Sequence, residues 1–254
     1  MLKQRILSKK IELNFFNTII YVSKEEGDYL MRITIIGGAY GSGKTEFAIN
    51  YAKYLKTANG GKVGLIDLDI VNPYFRSRDL TEQMGQEGIT VVSSELAKEN
   101  VDIPALSPRI YSLLQDRSYR VVIDVGGDPV GARALGRFNQ YFTAEPYDFW
   151  IVINPFRPDT KSVDQVVKLI EGLQTAARIR ATGLVANINL GRETTLEIWR
   201  QGLPLIGEVA NRMGLPIVYQ AVAAGLMAEN ADFFKDFQAF PMHLTMVPPW
   251  SVSE

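Results

Sequence analysis

The sequence predicts an α/β protein with a doubly wound, mostly parallel sheet flanked by helices. From Met31 onward, short apolar runs alternate with segments of helical periodicity, which is the pattern of parallel strands buried under helices on both faces. The chain has 254 residues, of which 46% are hydrophobic and 22% charged, so it is long enough for a sizeable core. One domain is the simplest interpretation after Met31, because no convincing linker follows it.

Seven apolar runs are candidate strands. They span residues 32–36, 63–68, 90–92, 120–125, 149–153, 184–187 and 216–219. Two helical stripes lie between them, and their apolar side chains recur at a spacing that puts them on one helix face. The first stripe consists of Phe47, Ala48, Tyr51, Ala52 and Leu55, and the second of Val163, Val166, Val167, Ile170 and Leu173. We expect both stripes to face the core.

The composition excludes several classes of site and partner. A formal net charge of -1 provides no basic field for nucleic acid or for an anionic membrane, so neither is expected as a partner. The chain has no cysteine and a single histidine, His243, which leaves oxygen atoms as the ligands for any metal. The apolar runs are far shorter than the roughly 20 residues that span a bilayer, and no secretory cleavage pattern follows the first basic residues. A cytoplasmic location is therefore expected.

Residues 38–45 read GAYGSGKT and match the Walker A pattern of phosphate-binding loops. Glycines let the backbone curl so that successive N–H groups point at phosphates, where the following helix presents its positive end. We expect Lys44 to reach the β- and γ-phosphates of a nucleotide and the Thr45 hydroxyl to bind Mg²⁺ directly. The nucleotide-binding residues predicted in and beside this loop are Gly38, Gly41, Ser42, Gly43, Lys44, Thr45 and Glu46.

A later strand ends in the carboxylate that a phosphate loop needs beside it. Residues 121–124 read Val-Val-Ile-Asp, and Asp124 is predicted to hold the magnesium hydration shell as the Walker B residue. The backbone N–H of Gly127, three residues later, is a candidate sensor of the γ-phosphate. The alternative is an ordinary glycine-rich turn after a strand.

Asp67 and Asp69 end the second predicted strand. Alternation along the strand puts both carboxylates on one face and Leu68 on the other. In an open α/β sheet, ligands bind at the carboxyl ends of strands. Two like charges there are costly unless a cation relieves them, which favours a role in metal or water handling over a solvated strand end.

These three motifs, in this order, resemble the MinD/ParA/CobQ-type (SIMIBI-class) branch of P-loop NTPases, which includes signal-recognition GTPases and dethiobiotin synthetase. The resemblance covers Met31 to the C-terminus. It implies ATP and Mg²⁺ as cofactors, with Asp69 orienting the attacking water and Asp124 holding the metal. The implied catalytic residues are Lys44, Asp69 and Asp124, and the implied metal-binding residues are Thr45, Asp69 and Asp124.

The chain both matches and departs from that family beyond these motifs. Asn187, at the end of a predicted strand, is similar to the family's base-contacting asparagine, and the alternative is an asparagine that caps the next turn. Many members carry a lysine at the second loop position that reaches the partner subunit's phosphates, but here that position is Ala39. The sequence therefore neither predicts nor excludes a homodimer, and any such dimer would form without that charge. Residues 187–190 read Asn-Ile-Asn-Leu and lack the lysine and aspartate of a guanine-recognition motif, so ATP is favoured.

The resemblance divides the chain into two parts. Residues 31–254 are expected to form the P-loop nucleotide-binding domain. Residues 1–30 are expected to be an N-terminal extension that arises from a gene start assigned too early, because residues 24–27 read KEEG, the translation of a purine-rich bacterial ribosome-binding site.

Three classes of function remain open. The favoured one is an ATP-hydrolysing switch of MinD/ParA type, read by a partner protein, because Asp69 suits water better than a bulky nucleophile. The second is a small-molecule kinase or ligase-like enzyme, similar to dethiobiotin or cobyrinic acid synthetase, whose carboxylate-bearing acceptor replaces water. Arg76, Arg78 and Arg133 are candidates for holding that acceptor or a partner, or they are solvated helix residues. The third is a binding module that does not hydrolyse nucleotide.

Overall fold

A parallel sheet forms the centre of the described part of the chain. The computed structural model describes residues 9–13, 18–22, 31–69, 78–93, 107–127 and 129–245. The strands, in chain order, are β1 (Lys9–Leu13), β2 (Thr18–Val22), β3 (Ile33–Gly38), β4 (Lys62–Asp67), β5 (Ile89–Ser93), β6 (Tyr119–Asp124), β7 (Tyr147–Ile153), β8 (Gly183–Ala186), β9 (Ile217–Ala223) and β10 (Ala239–Met242).

Eight of these strands pair in the order β10-β9-β8-β7-β3-β6-β4-β5. Each of the pairings described in this sheet is parallel. Strand β3 lies between β6 and β7, with β4 to β6 on one side of it and β7 to β10 on the other. The topological switch point of the sheet therefore lies at β3. In an open α/β sheet, the binding crevice lies outside the carboxyl ends of the strands at this point.

Helices cover both faces of this sheet. In chain order they are α1 (Lys44–Asn59), α2 (Arg78–Gln86), α3 (Pro108–Gln115), α4 (Pro129–Gly136), α5 (Asn139–Ala144), α6 (Val163–Ala177), α7 (Leu196–Met213), α8 (Ala224–Glu229) and α9 (Ala231–Phe234). Helices α1 and α2 pack into one apolar cluster with the sheet, and α3 to α9 contribute to a second cluster on the other face. Both predicted helical stripes face these clusters, so the predicted doubly wound α/β fold is confirmed.

The seven predicted strands correspond to β3 to β9. Strand β10 was not predicted, because it is four residues long, contains Pro241 and lies at the sheet edge. Proline is tolerated at an edge, where its missing N–H breaks no ladder on the open side. Among the described residues, none of the helices combines the length and apolar character needed to cross a membrane.

Two short strands lie within the first 30 residues. Strands β1 and β2 pair antiparallel, from Lys9 opposite Val22 to Leu13 opposite Thr18. Strand β2 contacts α7 and β9, and neither β1 nor β2 joins the eight-stranded sheet. The expectation that residues 1–30 are an extension separable from the domain stays a prediction.

Candidate functional site

The loop between β3 and α1 has the backbone shape that the Walker A pattern predicts. Gly41 and Gly43 have φ angles of 71° and 86°, which side-chain-bearing residues rarely adopt. Gly43 is the residue immediately before α1, and the Phe47 N–H donates to its carbonyl over 2.9 Å. The loop therefore leads directly into the helix N-terminus, where the backbone dipoles favour a bound anion.

Space as well as conformation requires glycine at two loop positions. A Cβ added to Gly43 would lie 2.2 Å from Nδ2 of Asn187. A Cβ on Gly38 would lie 2.5 Å from the carbonyl oxygen of Val152 and 2.7 Å from Oγ of Ser42. The loop is thus packed from behind, with no room for larger residues at either position.

Lys44 and Thr45 each contact a predicted carboxylate. Lys44 Nζ lies 3.1 Å from Oδ2 of Asp69, and both side chains are buried. Thr45 Oγ1 donates a hydrogen bond of 2.6 Å to Oδ2 of Asp124. The structure therefore brings together the four side chains to which the sequence assigned catalytic or metal-binding roles. Whether they perform those roles stays a prediction.

Sheet pairing explains why the carboxylates converge. Strands β4 and β6 are neighbours, and their register sets Asp67 opposite Asp124. The Leu68 N–H continues this pairing with a 2.8 Å bond to the Asp124 carbonyl. One carboxylate oxygen of Asp67 accepts the Asp69 N–H at 2.8 Å, which turns the chain at the strand end. As alternation predicted, Asp67 and Asp69 lie together while Leu68 joins the apolar core.

Burial shifts the titration of two of these acids. Burial raises the pKa of Asp67 to about 8, and the neighbouring Asp124 carboxylate adds to the rise. Burial also raises the pKa of Asp124 to about 6, while the charge of Lys44 and the hydrogen bond from Thr45 oppose that rise. Both acids are therefore harder to ionise than a solvated aspartate, and a bound cation would favour their charged forms.

The donor set fits a magnesium ion held together with phosphate. Asp124 is fully buried, and its Oδ1 has no hydrogen-bond partner among the described residues. An unpartnered carboxylate oxygen beside the Thr45 hydroxyl supplies the hard oxygen ligands that Mg²⁺ prefers. Among the described residues, no three or more Asp, Glu or His side chains form a group that would hold a metal. The remaining ligands of such an ion would be phosphate oxygens and water.

The glycines after β6 lie directly against the phosphate loop. A Cβ on Gly127 would lie 2.7 Å from the Gly38 carbonyl oxygen and 2.8 Å from the Tyr40 nitrogen. A Cβ on Gly126 would lie 3.3 Å from Oδ1 of Asp69. Gly127 is thus close enough to the loop for the predicted sensing of a γ-phosphate.

Asn187 and Glu46 contact protein groups that the sequence did not suggest. Asn187 Nδ2 donates to the Ser42 carbonyl oxygen over 2.7 Å, so its amide supports the phosphate loop from behind. Glu46, in the first turn of α1, accepts the backbone N–H of Thr245 over 2.6 Å. The predicted contacts of Asn187 with a base and of Glu46 with the nucleotide stay predictions.

Two residues at the site were missed by sequence reasoning. Arg157 Nε donates to the Gly41 carbonyl oxygen over 2.8 Å, and Asn154 Nδ2 donates to the Asn189 carbonyl oxygen over 2.8 Å. Both follow β7, the neighbour of β3. The rule that ligands gather at the carboxyl ends of strands would have selected them, because residue 153 ends a predicted strand.

The arginines proposed for an acceptor or a partner are only partly described. Arg76 lies outside the described residues. Arg78 is the first residue of α2, and its side chain lies outside the described part. Arg133 lies on α4 and is exposed.

Comparison with solved structures identifies the fold. The cell division protein FtsY from Thermotoga maritima aligns with a TM-score of 0.52 at 19% identity, covering 76% of this chain and 61% of that chain. FlhF in complex with GTP and Mg²⁺ aligns with a TM-score of 0.51 at 11% identity, covering 76% of this chain and 66% of that chain. This chain therefore shares the P-loop NTPase fold of these two proteins.

The P-loop fold predicted from the motifs is thus confirmed, and the narrower resemblance to the MinD/ParA type stays a proposal. This chain spans 59% to 61% of the length of three FtsY chains that it matches. Neither a protein-family model nor a curated protein sequence matches it.

Proposed function

We propose that this protein binds a nucleoside triphosphate with Mg²⁺ at residues 38–45 and hydrolyses it as a nucleotide-dependent switch. One observation carries the proposal: Lys44 and Thr45, adjacent in the loop, contact carboxylates that follow or end two other strands. Phosphoryl transfer to water requires a lysine for the phosphates, a hydroxyl and a carboxylate for the metal, and a second carboxylate to align the water. The site contains each of these groups, with the second carboxylate beside the lysine.

Each side chain has a distinct part in the proposed reaction. Thr45 and Asp124 would hold the metal, which supplies charge neutralisation to the phosphates when bound. Lys44 exchanges Asp69 for the β- and γ-phosphate oxygens, because these offer more negative charge than one carboxylate. Asp69 is then released to accept a hydrogen bond from the attacking water and to align it.

We propose ATP as the nucleotide and the MinD/ParA type as the nearest functional class. Leu190 stands where an aspartate would accept the N–H groups of guanine, and a leucine has no acceptor. The GTP bound to FlhF belongs to a protein that shares 11% identity and the fold alone. A protein partner, including a second copy of this chain, would read the nucleotide state.

Lys44→Ala tests the binding site. Loss of the charge beside the β- and γ-phosphates is expected to weaken ATP binding by about a hundredfold without unfolding the protein. Titration calorimetry with ATP and Mg²⁺ measures the affinity. Lys53→Ala is the matched control, because Lys53 lies on the same helix and pairs with Glu87 at the surface. Unchanged ATP affinity in Lys44→Ala contradicts the proposal.

Phosphate release separates the switch from the acceptor enzyme. The parent protein is expected to release phosphate from ATP and Mg²⁺ without any added acceptor. Loss of ATP that depends on a carboxylate-bearing metabolite would instead support the kinase or ligase-like function.

A further inference from the structure

Two consecutive carbonyls of the phosphate loop are held from outside the loop. The Gly41 carbonyl accepts Arg157 Nε at 2.8 Å, and the Ser42 carbonyl accepts Asn187 Nδ2 at 2.7 Å. In a trans peptide the C=O and the N–H point in opposite directions. Holding the Ser42 carbonyl therefore turns the Gly43 N–H away from Asn187, toward the side where phosphates would bind.

Arg157 fixes the neighbouring peptide in the same way. The peptide between Gly41 and Ser42 has its carbonyl bonded to Arg157, while its N–H donates to the Ala39 carbonyl over 3.1 Å. Gly41 has a φ of 71°, and a Cβ there would lie 3.5 Å from Nε of Arg157. The guanidinium thus lies against the bare glycine and locks a peptide whose two polar groups are both satisfied.

The segment that carries Arg157 is itself held in place. The Arg157 N–H donates to the Asn154 carbonyl over 3.3 Å, and the Arg157 carbonyl accepts the Thr160 N–H at 3.1 Å. Thr160 and Asn154 are buried, and Asn154 also binds the Asn189 carbonyl in the segment after β8. Because these bonds join the segments after β7 and β8, the supports of Gly41 and Ser42 form one connected unit.

The charge of Arg157 has no carboxylate partner among the described residues. A guanidinium has five N–H donors and remains protonated, and one donor is used on Gly41. Arg157 is partly exposed, so its other donors are accessible to a ligand. A cation beside a phosphate loop lowers the energy of a bound anion even without direct contact.

We propose that Arg157 is a positioning residue for nucleotide binding. It presets the loop through Gly41 and adds a positive charge to the phosphate site. The inference rests on the proposed nucleotide binding and goes beyond it, because Arg157 belongs to neither the loop nor the carboxylate cluster.

Three substitutions separate the two contributions. Arg157→Ala removes both the hydrogen bond and the charge, Arg157→Gln retains an N–H donor, and Arg157→Lys retains the charge. Arg180→Ala is the matched control, because Arg180 is exposed and precedes β8. It therefore lies at the amino ends of the strands, whereas the phosphate loop lies at their carboxyl ends. The probes are ATP and ADP, each titrated with Mg²⁺ at several salt concentrations.

Arg157→Ala is expected to weaken ATP and ADP binding by about tenfold, the scale of one charge-assisted hydrogen bond. Arg157→Gln is expected to bind more weakly than the parent and to show a shallower dependence of affinity on salt. Arg157→Lys is expected to restore the salt dependence and most of the affinity. The melting temperature without nucleotide is expected to stay the same in all variants, which a purely structural role would not allow.

Three results would overturn the inference. The first is that Arg157→Ala binds ATP and ADP as tightly as the parent does. The second is that Arg157→Gln keeps both the affinity and the salt dependence of the parent. The third is that Arg180→Ala loses as much affinity as Arg157→Ala does. If the parent binds nucleotide and Lys44→Ala does not, such a result rejects the role of Arg157 alone. A parent protein that binds neither ATP nor ADP rejects the proposed function as well.

Discussion

Asp69 and Asp124 bind different partners within one cluster. Asp69 is paired with the charge of Lys44, whereas Asp124 accepts a hydrogen bond from Thr45 and keeps one buried oxygen without a described partner. In the proposed function, the first carboxylate would compete with phosphate for the lysine, and the second would bind the metal. Their removal should have different consequences.

Asp69→Asn is expected to separate binding from turnover. The amide keeps the size of the side chain but loses the charge that aligns water, so turnover should fall by at least about a hundredfold. ATP affinity should stay the same or improve, because Lys44 loses a competing anion. Asp124→Asn should lower Mg²⁺-dependent affinity and turnover together.

ATP titration and phosphate release on the parent and both variants measure these effects. Asp164→Asn is the control, since Asp164 is exposed and pairs with Arg212 at the surface. Parent-rate hydrolysis by Asp69→Asn would assign Asp69 to a structural or substrate-binding role.

The buried acid Asp67 should make the ligand-free protein less stable as pH rises. Its folded pKa is about 8, whereas an unfolded aspartate has a pKa of about 4. Between these values the folded state binds a proton that the unfolded state releases, so the free energy of unfolding falls with rising pH. The slope approaches about 1.4 kcal/mol per pH unit inside the window, and this contribution is flat below pH 4 and above pH 8.

Urea unfolding at pH 5, 6, 7 and 8 tests this slope. Asp67→Asn is expected to lose less stability than the parent across the series, because it has no proton to release. Asp159→Asn, an exposed control, should follow the parent. An identical pH dependence of the parent and Asp67→Asn would show that Asp67 titrates normally.

Sequence reasoning found the residues that belong to local patterns and missed those defined by sheet order. Lys44 and Thr45 are part of a fixed spacing, and Asp69 and Asp124 follow or end apolar strands, so their convergence was predicted. Arg157 is a single arginine in the segment that follows β7. Its contact with Gly41 exists only because β7 lies next to β3. The sequence places Arg157 near the carboxyl end of a predicted strand, but it does not show that this strand pairs with β3.

At the scale of elements, the loop after β6 and the phosphate loop are packed too closely for a side chain between them. Gly127→Ala would bring a methyl group to 2.7 Å from a backbone oxygen, so one of the two loops must shift. We expect a loss of about 1–3 kcal/mol in the free energy of unfolding and weaker ATP binding.

Gly172→Ala is the matched control for this substitution. Gly172 lies within α6, with no atom within 4 Å of an added Cβ, so alanine there should be neutral or stabilising by up to about 1 kcal/mol. Urea unfolding and ATP titration compare the two variants. A Gly127→Ala protein as stable and as tight-binding as the parent would mean that these loops separate easily.

The first two turns of α1 are also joined to the segment after β10. Asn50 Nδ2 donates to the His243 carbonyl over 3.0 Å, and the His243 N–H donates to Asn50 Oδ1 over 2.9 Å. Glu46, one turn earlier, accepts the N–H of Thr245. Periodicity predicted α1 because its apolar stripe is regular, but no pattern indicates which of its polar side chains bind a distant backbone.

At the scale of the whole molecule, the β1–β2 pair stands apart from the main sheet. Deleting residues 1–30 is expected to leave folding and ATP binding intact, because none of the strand pairings described in the main sheet involves β1 or β2. The melting temperature and ATP affinity of a chain that starts at Met31 test this. A loss of stability of 1 kcal/mol corresponds to roughly 2–4 °C at this size, so a drop well beyond that would show that β2 stabilises the domain through α7 and β9.

The central position of β3 constrains the order in which the protein is assembled during synthesis. Ile33, near the start of β3, pairs with Val121 on one side and Tyr147 on the other, so the strand that precedes the phosphate loop emerges from the ribosome long before either neighbour. At about 5–20 residues per second, several seconds pass before β6 and β7 exist. The support of Gly41 by Arg157 comes later still. A nascent chain that ends before β7 therefore has the complete GAYGSGKT segment and lacks the strand that supports it, so we expect nucleotide to stabilise the protein only after most of the sheet has formed.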